Sequence, residues 1–190
     1  MAIEYELKFA ATPEALAAIR RDLGEGWHQI QMRTTYYDTA CRALSARRWT
    51  LRRRLENGVG VCTLKTPAKL GRQEYEVVCA SIEDGIAELC KLGAPWELEL
   101  LTADGVQAVC GAAFTRFAKT LSMANFRAEI ALDSGELFSG ENRQTLCELE
   151  VELKEGDPAL VSQYAQVLAA AYDLRPETKS KFKRALELGR

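Results

Sequence analysis

The sequence holds a single histidine, His28, and no C-x-x-C pair among its six cysteines. A standard zinc site needs such ligands at close spacing, so that chemistry is excluded. Cys62, Cys79 and Cys147 sit inside apolar or strand-like runs, where a free thiol behaves as a small hydrophobe. We read them as reduced core residues, which points to a cytoplasmic protein. Net charge is nearly absent too, with 27 acidic against 25 basic residues. Nothing global marks a nucleic-acid binder or a membrane-surface protein. The charged N-terminal stretch excludes a signal peptide, and no apolar run is long enough to span a bilayer. The G-x-x-x-x-G-K-[ST] loop is also missing, so any bound phosphate falls to side chains instead of a backbone cradle. What remains is a chain of 190 residues, 47% hydrophobic, sized for one domain over residues 1–190.

What is present is alternation. Ile3, Tyr5, Leu7 and Phe9 are apolar, and Glu4, Glu6 and Lys8 between them are charged, the period of a strand. Thr12-Pro13-Glu14 opens a helix that ends at Gly24. Residues 28–38 are extended and end in Tyr36-Tyr37-Asp38-Thr39, where Asp38 orders the turn. Residues 47–55 place Thr50, Arg52 and Arg54 opposite Trp49, Leu51, Arg53 and Leu55, and Asn57-Gly58 closes a hairpin. The return strand 59–66 carries Val61, Thr63 and Lys65 on one face. The next strand carries Arg72, Glu74 and Glu76 together. Helices are predicted over 82–92 and 98–110. Strands follow over 113–121 and 127–133, with a turn at Ser134-Gly135, and over 146–154, where Glu148, Glu150, Glu152 and Lys154 oppose Leu149, Val151 and Leu153. A capped helix runs from Pro158 to about Tyr172, and a basic helix carries Lys181 to Arg184. Trp27, Trp49 and Trp96 read as packing groups and His28 as a surface residue.

Several strands therefore share a charged face and an apolar face, and the charges are sorted by strand. An open sheet would leave the charged face wet; closing it into a barrel turns that face inward. A dry interior of that kind would be ruinous, whereas a polyanion, divalent cations and water would fill it. Carboxylates without histidine or cysteine suit Mg²⁺ or Mn²⁺, and arginine and lysine suit phosphate oxygens. Metal with arginine clamps and an in-line water is the equipment of phosphoryl transfer.

Glu4-x-Glu6-x-Lys8, Tyr37-Asp38-Thr39, Leu51-Arg52-x-Arg54, Thr63-Leu64-Lys65 and Arg72-x-Glu74-x-Glu76 occur in this order. Glu129-x₃-Asp133-x-Gly135, Glu148-x-Glu150-x-Glu152 and Ser180-Lys181-x-x-Arg184 follow. The ordered set resembles the CYTH family, the triphosphate tunnel metalloenzymes, and looks most like the bacterial inorganic triphosphatase branch, whose members often carry a C-terminal CHAD domain. The resemblance implies an α+β fold: a closed eight-stranded antiparallel β-tunnel with helices packed outside. It implies metal-dependent hydrolysis of inorganic triphosphate, with thiamine or nucleoside triphosphates, class IV-type adenylyl cyclisation or plain polyphosphate binding as the alternatives. By position, Lys8, Arg52, Arg54, Lys65, Arg72, one of Arg116 or Lys119, Lys181 and Arg184 would hold phosphates. Glu4, Glu6, Glu129, Asp133, Glu148, Glu150 and Glu152 would hold Mg²⁺ or Mn²⁺, and Lys8, with Glu4 and Glu6, would serve catalysis by positioning or deprotonating the attacking water. Arg116 and Lys119 are three apart, so a regular strand sends them to opposite faces; Arg127 is a candidate to make up the missing charge. A homodimer is compatible with this reading.

Overall fold

Alternation and turn chemistry set the elements. A computed structural model describes residues 5–69 and 72–189. In chain order these are β1 (Glu6–Ala10), α1 (Pro13–Asp22), β2 (His28–Asp38), α2 (Ala43–Ala46), β3 (Thr50–Glu56), β4 (Val59–Pro67), β5 (Arg72–Val78), α3 (Ile82–Lys91), α4 (Glu97–Thr102), β6 (Gln107–Ser122), β7 (Phe126–Ser139), β8 (Asn142–Gly156), α5 (Pro158–Ala171), β9 (Arg175–Pro176) and α6 (Lys181–Glu187). Helix starts follow their caps: Thr12, Ser81, Asp157 and Ser180 each accept a backbone N–H two or three residues on. The buried Asp38 accepts from the N–H groups of Thr39, Leu44 and Ser45 and so ties the end of β2 to α2.

The strands form one antiparallel sheet in the order β5-β4-β3-β2-β6-β7-β8-β1-β9. β9 is a two-residue addition to the expected eight and covers the edge of β1. No ladder joins β5 to β1 among the described residues. The sheet nevertheless curls round a common interior, because side chains from all eight longer strands line one cavity.

Two apolar clusters lie on the outside of the curl. Leu16 and Ile19 of α1 and Val161, Ala165 and Leu168 of α5 pack on Ile130, Leu149 and Val151. α3 and α4, through Ile82, Leu89 and Leu98, pack with Leu44 of α2 on Leu51, Cys62 and Leu64. α6 departs from the expected plan of helices outside. Its Ala185 and Phe182 pack with Met32, Tyr36, Phe114, Leu137 and Leu146, and Met32, Tyr36, Phe114 and Phe182 also line the cavity. The last helix therefore sits on the concave side and forms part of the cavity floor.

Three other expectations are corrected. Residues 98–110 are not one helix: α4 ends at Thr102, and β6 begins at Gln107. β-branched Val106 and Val109 and the glycine at 105, held at φ +87°, end the helix and favour extension. Ser134-Gly135 is not a turn but the middle of β7, paired with Thr115-Phe114 and Cys147-Leu146. A Cβ on Gly135 would lie 2.2 Å from the Ala113 carbonyl oxygen, so the glycine is there for close backbone approach. The turn is at Gly140-Glu141 instead. Trp27 and Trp49 pack as expected, whereas Trp96 is 70% exposed.

Candidate active site

The strand period delivers charge to the interior level by level. At the first level, Glu6 of β1 stands opposite Glu152 of β8, which stands opposite Glu129 of β7. At the next, Lys8 faces Glu150; below it, Glu148 faces Asp133, and Asp133 faces Arg116 of β6. On the other half of the sheet, Thr50, Arg52 and Arg54 of β3 and Lys65 of β4 turn inward with Arg72, Glu74 and Glu76 of β5. The cavity between the halves measures about 1030 Å³.

Ion pairs hold these side chains ready. Glu74 lies 3.6 Å from Arg52 and 3.4 Å from Lys65, and Glu76 lies 3.8 Å from Arg54. Glu56 also binds Arg54, and Lys154 lies 2.7 Å from Glu152. Burial, reinforced by the neighbouring Arg52 charge, lowers the Arg54 pKa, and its Nε has no hydrogen-bond partner. A buried donor without a partner is a place for an acceptor oxygen. Burial alone would lower Lys8, but Glu6 at 2.9 Å and the nearby Glu150 outweigh it and raise its pKa. Lys8 is therefore an ammonium at neutral pH.

Beneath this level lies a charge network. Lys181 Nζ lies 2.8 Å from Asp133 and 2.7 Å from Glu150 and also binds Glu148. Arg116 grips Asp133 at 2.7 Å and Glu150 at 2.5 Å, and Arg184 binds Glu148. Burial alone would raise Glu150, but Lys181 and Arg116 hold its carboxyl well below the usual range. For Glu148, burial prevails and raises it. Lys181 is raised, because Asp133, Glu150 and Glu148 outweigh its burial. Asp133, Glu148 and Glu150 each bring an oxygen to within 4.8 Å of the others, a set able to hold a cation, and here the Lys181 ammonium stands among them.

Of the residues singled out from sequence, Glu6, Lys8, Arg52, Arg54, Lys65, Arg72, Arg116, Glu129, Glu150, Glu152 and Lys181 share the cavity wall. Asp133 and Glu148 are fully buried behind it, with Arg184 beside Glu148. Glu4 lies outside the described residues. Arg72 donates to Arg48 and Lys65 carbonyl oxygens and to the Thr50 hydroxyl, so it braces the wall as well as lining it. Lys119 is corrected: it points outward, donates to the Leu23 and Glu25 carbonyls and closes the end of α1. Arg127 is also corrected. The ladder shifts register between Arg127 and Ala128, and Arg127 meets Glu155 at 3.3 Å in an exposed pair. Sequence reasoning missed Thr34 and Tyr36 as wall residues because the cavity face of β2 carries no charge to reveal it, and missed Phe114 of β6 and Phe182 of α6 because their rings read as ordinary core residues.

The donor set fits a hard divalent cation. Glu6, Glu129 and Glu152 form a row of like charges on adjacent strands; Lys8 and Lys154 offset Glu6 and Glu152 here, and a divalent cation shared along the row would do the same.

Comparison with known proteins identifies the family. The CYTH domain model matches residues 2–186. This chain belongs to the CYTH domain family. An inorganic triphosphatase of Haemophilus influenzae is 28% identical over 195 residues, covering 98% of this CYTH chain and 55% of its own length. The chain thus spans about half the length of that relative. Among solved structures, a putative adenylyl cyclase from Hippeastrum, described as having a dominant triphosphatase activity, superposes with TM-score 0.73 at 18% identity over 99% of this chain and 97% of its own. The PH1819 protein of Pyrococcus horikoshii superposes with TM-score 0.64 at 23% identity over 97% and 98%. A putative adenylate cyclase of Bacillus halodurans does so with TM-score 0.64 at 18% identity over 96% of each chain. These similarities establish the CYTH fold for the curled sheet described above. No helix among the described residues is long and apolar enough to cross a membrane.

Proposed function

We propose that this CYTH chain hydrolyses inorganic triphosphate to pyrophosphate and phosphate with Mg²⁺ or Mn²⁺. The observation that carries the reading is the split wall of one cavity. Arg52, Arg54 and Lys65 face the carboxylate row of Glu6, Glu129 and Glu152 across it. Binding a polyanion alone calls for the bases and not for the row of acids, which disfavours a passive polyphosphate module. The named relative, an inorganic triphosphatase, supports the same substrate.

Glu6, Glu129 and Glu152, with Glu4 by its place in the motif, would hold the cation. When bound, it would neutralise phosphate charge and draw electron density from the reacting phosphorus. Arg52, Arg54 and Lys65 would take phosphate oxygens in place of Glu74 and Glu76, which hold the side chains until then. Water attacks the terminal phosphorus in line, the bond to the bridging oxygen breaks, pyrophosphate leaves, and the proton given up by the water passes to a phosphate oxygen or to solvent. Lys8, already protonated, positions that water or the terminal phosphate by donating hydrogen bonds. It is not the base. The rings on the wall, Tyr36, Tyr75, Phe114 and Phe182, are all packed into apolar clusters, so none is left to stack on a nucleobase or thiamine. This favours the inorganic substrate over ATP, thiamine triphosphate or cyclisation.

The test is phosphate release from tripolyphosphate, ATP and thiamine triphosphate in parallel, with Mg²⁺, with Mn²⁺ and with EDTA. Metal-dependent turnover of tripolyphosphate well above the others is expected. Tight binding without turnover of any of them would sink the hydrolase reading.

A further inference from the structure

We infer that the Lys181 ammonium is the resident cation of the cage formed by Asp133, Glu148 and Glu150. The cavity then takes one divalent cation per chain, at the row of Glu6, Glu129 and Glu152. The inference rests on the metal-dependent reading for the row, though not for the cage. An ammonium has three N–H donors, and here three carboxylates surround it, leaving none for a phosphate oxygen. Lys181 Nζ lies 2.8 Å from Asp133 Oδ2 and 2.7 Å from Glu150 Oε1, and it also binds Glu148 Oε1. The other oxygens are taken as well. Arg116 lies 2.8 Å from Asp133 Oδ1 and 2.5 Å from Glu150 Oε2, and Arg184 binds Glu148 Oε2. Three carboxylates thus meet three cations, and each carboxylate oxygen faces one of them. A divalent cation entering the cage would bring charge with nothing to balance it, and would have to displace a side chain from every oxygen it bound.

Lys181 is held where it stands. It opens α6, and Ser180 caps that helix by accepting the Lys183 N–H. The next residue, Phe182, packs on Tyr36 at 4.9 Å between ring centroids, and Ala185 one turn later is fully buried. The ammonium also lies 5.3 Å from the Phe114 ring centroid. The row of Glu6, Glu129 and Glu152 is built differently. Lys8 reaches Glu6 at 2.9 Å and Lys154 reaches Glu152 at 2.7 Å, each from two residues along the same strand and on the open cavity wall. Glu129 makes no ion pair among the described residues. The cage is balanced and closed, whereas the row keeps an acid to spare beside two long side chains that are free to swing away.

The experiment counts Mn²⁺ bound to the EDTA-treated chain without substrate, from the loss of the free-Mn²⁺ EPR signal. It compares wild type with Glu152→Gln, Lys181→Met and the Lys181→Met/Asp133→Asn pair. Wild type should bind one Mn²⁺ per chain, and Glu152→Gln should lose most of that binding. Lys181→Met keeps the length of the side chain and removes its charge, so the emptied cage should take a second Mn²⁺. Asp133→Asn in the same background should abolish the second and spare the first. The thermal midpoint gives an independent readout. Lys181→Met should be destabilised without metal, and Mn²⁺ should raise its midpoint by more than it raises that of wild type. Two Mn²⁺ in wild type, or a count that stays at one in folded Lys181→Met, would overturn the inference. If Lys181→Met folds only with Mn²⁺ present, the metal is standing in for the ammonium and the inference holds. If it folds in neither condition, the wild-type count and its loss in Glu152→Gln decide. No Mn²⁺ in wild type but one in Lys181→Met would leave Lys181 as the cation of the cage and sink the metal-dependent reading of the row.

Discussion

At the scale of single residues, the pair Arg116 and Lys119 shows what alternation decides. Three positions apart on one strand, they cannot share a face. Arg116 turns inward to Asp133 and Glu150, while Lys119 turns outward, where its ammonium lies 2.5 Å from the Glu25 carbonyl oxygen and 5.8 Å from the Trp27 ring centroid. Lys119→Met should therefore cost about 1 kcal/mol of stability in urea denaturation and leave tripolyphosphate kinetics unchanged. Arg116→Met should strip Asp133 and Glu150 of a buried partner and abolish turnover. Loss of activity in the Lys119 variant at full stability would put the wrong residue in the cavity. The sequence showed that the two must part, because parity is a local property. It could not show which one goes inward, because that is settled by Asp133 and Glu150, which are 17 and 34 residues from Arg116. Arg127 escaped prediction for a similar reason: a bulge resets the parity on which the inference depends.

At the scale of elements, glycines separate what composition suggests from what packing requires. Ser134-Gly135 has the composition of a turn, yet Gly135 lies inside β7 under the Ala113 carbonyl. Gly140 has the same turn chemistry at a true turn, with φ +57° and nothing within 4 Å of its would-be Cβ. Gly135→Ala should therefore destabilise the fold by several kcal/mol, since the β6 backbone at Ala113 and Phe114 must shift. Gly140→Ala should cost about 1 kcal/mol, the penalty of a left-handed backbone alone. Thermal or urea denaturation of the two variants separates the roles; equal losses would mean that β7 tolerates a side chain there. The eight strands that build the wall, and the faces of β1, β3, β4, β5 and β8, were readable from period two. The position of α6 was not. Its sequence alternates like any amphipathic helix, and only the apolar patch of Met32, Tyr36, Phe114, Leu137 and Leu146 on the cavity side draws it within.

At the scale of the whole molecule, one charge network fastens the last helix to the strands of the carboxylate half. It joins Arg116 of β6, Asp133 of β7, Glu148 and Glu150 of β8, and Lys181 and Arg184 of α6. Removing one member of such a set leaves the others buried without a counter-charge, a cost of about 3–5 kcal/mol. Its pH dependence follows from the shifts. Glu150 is held well below its ordinary value, so its contribution is present above the unfolded carboxyl value of about 4.3 and is lost as pH falls through the folded value. Lys181 is raised, so its contribution is complete below the unfolded lysine value of about 10.4 and is lost only above that. Between those limits Glu150 and Lys181 both keep their charges. Glu148, raised by burial, takes up its proton above the unfolded carboxyl value and so does not add to the loss in acid. The acid limb therefore belongs to Glu150. Glu150→Gln should be less stable than wild type in urea denaturation at pH 7, and the gap should close as pH is lowered progressively below about 4.3, where the wild-type carboxylate is protonated in turn. A gap that stays constant down to the acid transition would mean that Glu150 contributes shape alone, and that α6 is held in the cavity by its apolar face without the network.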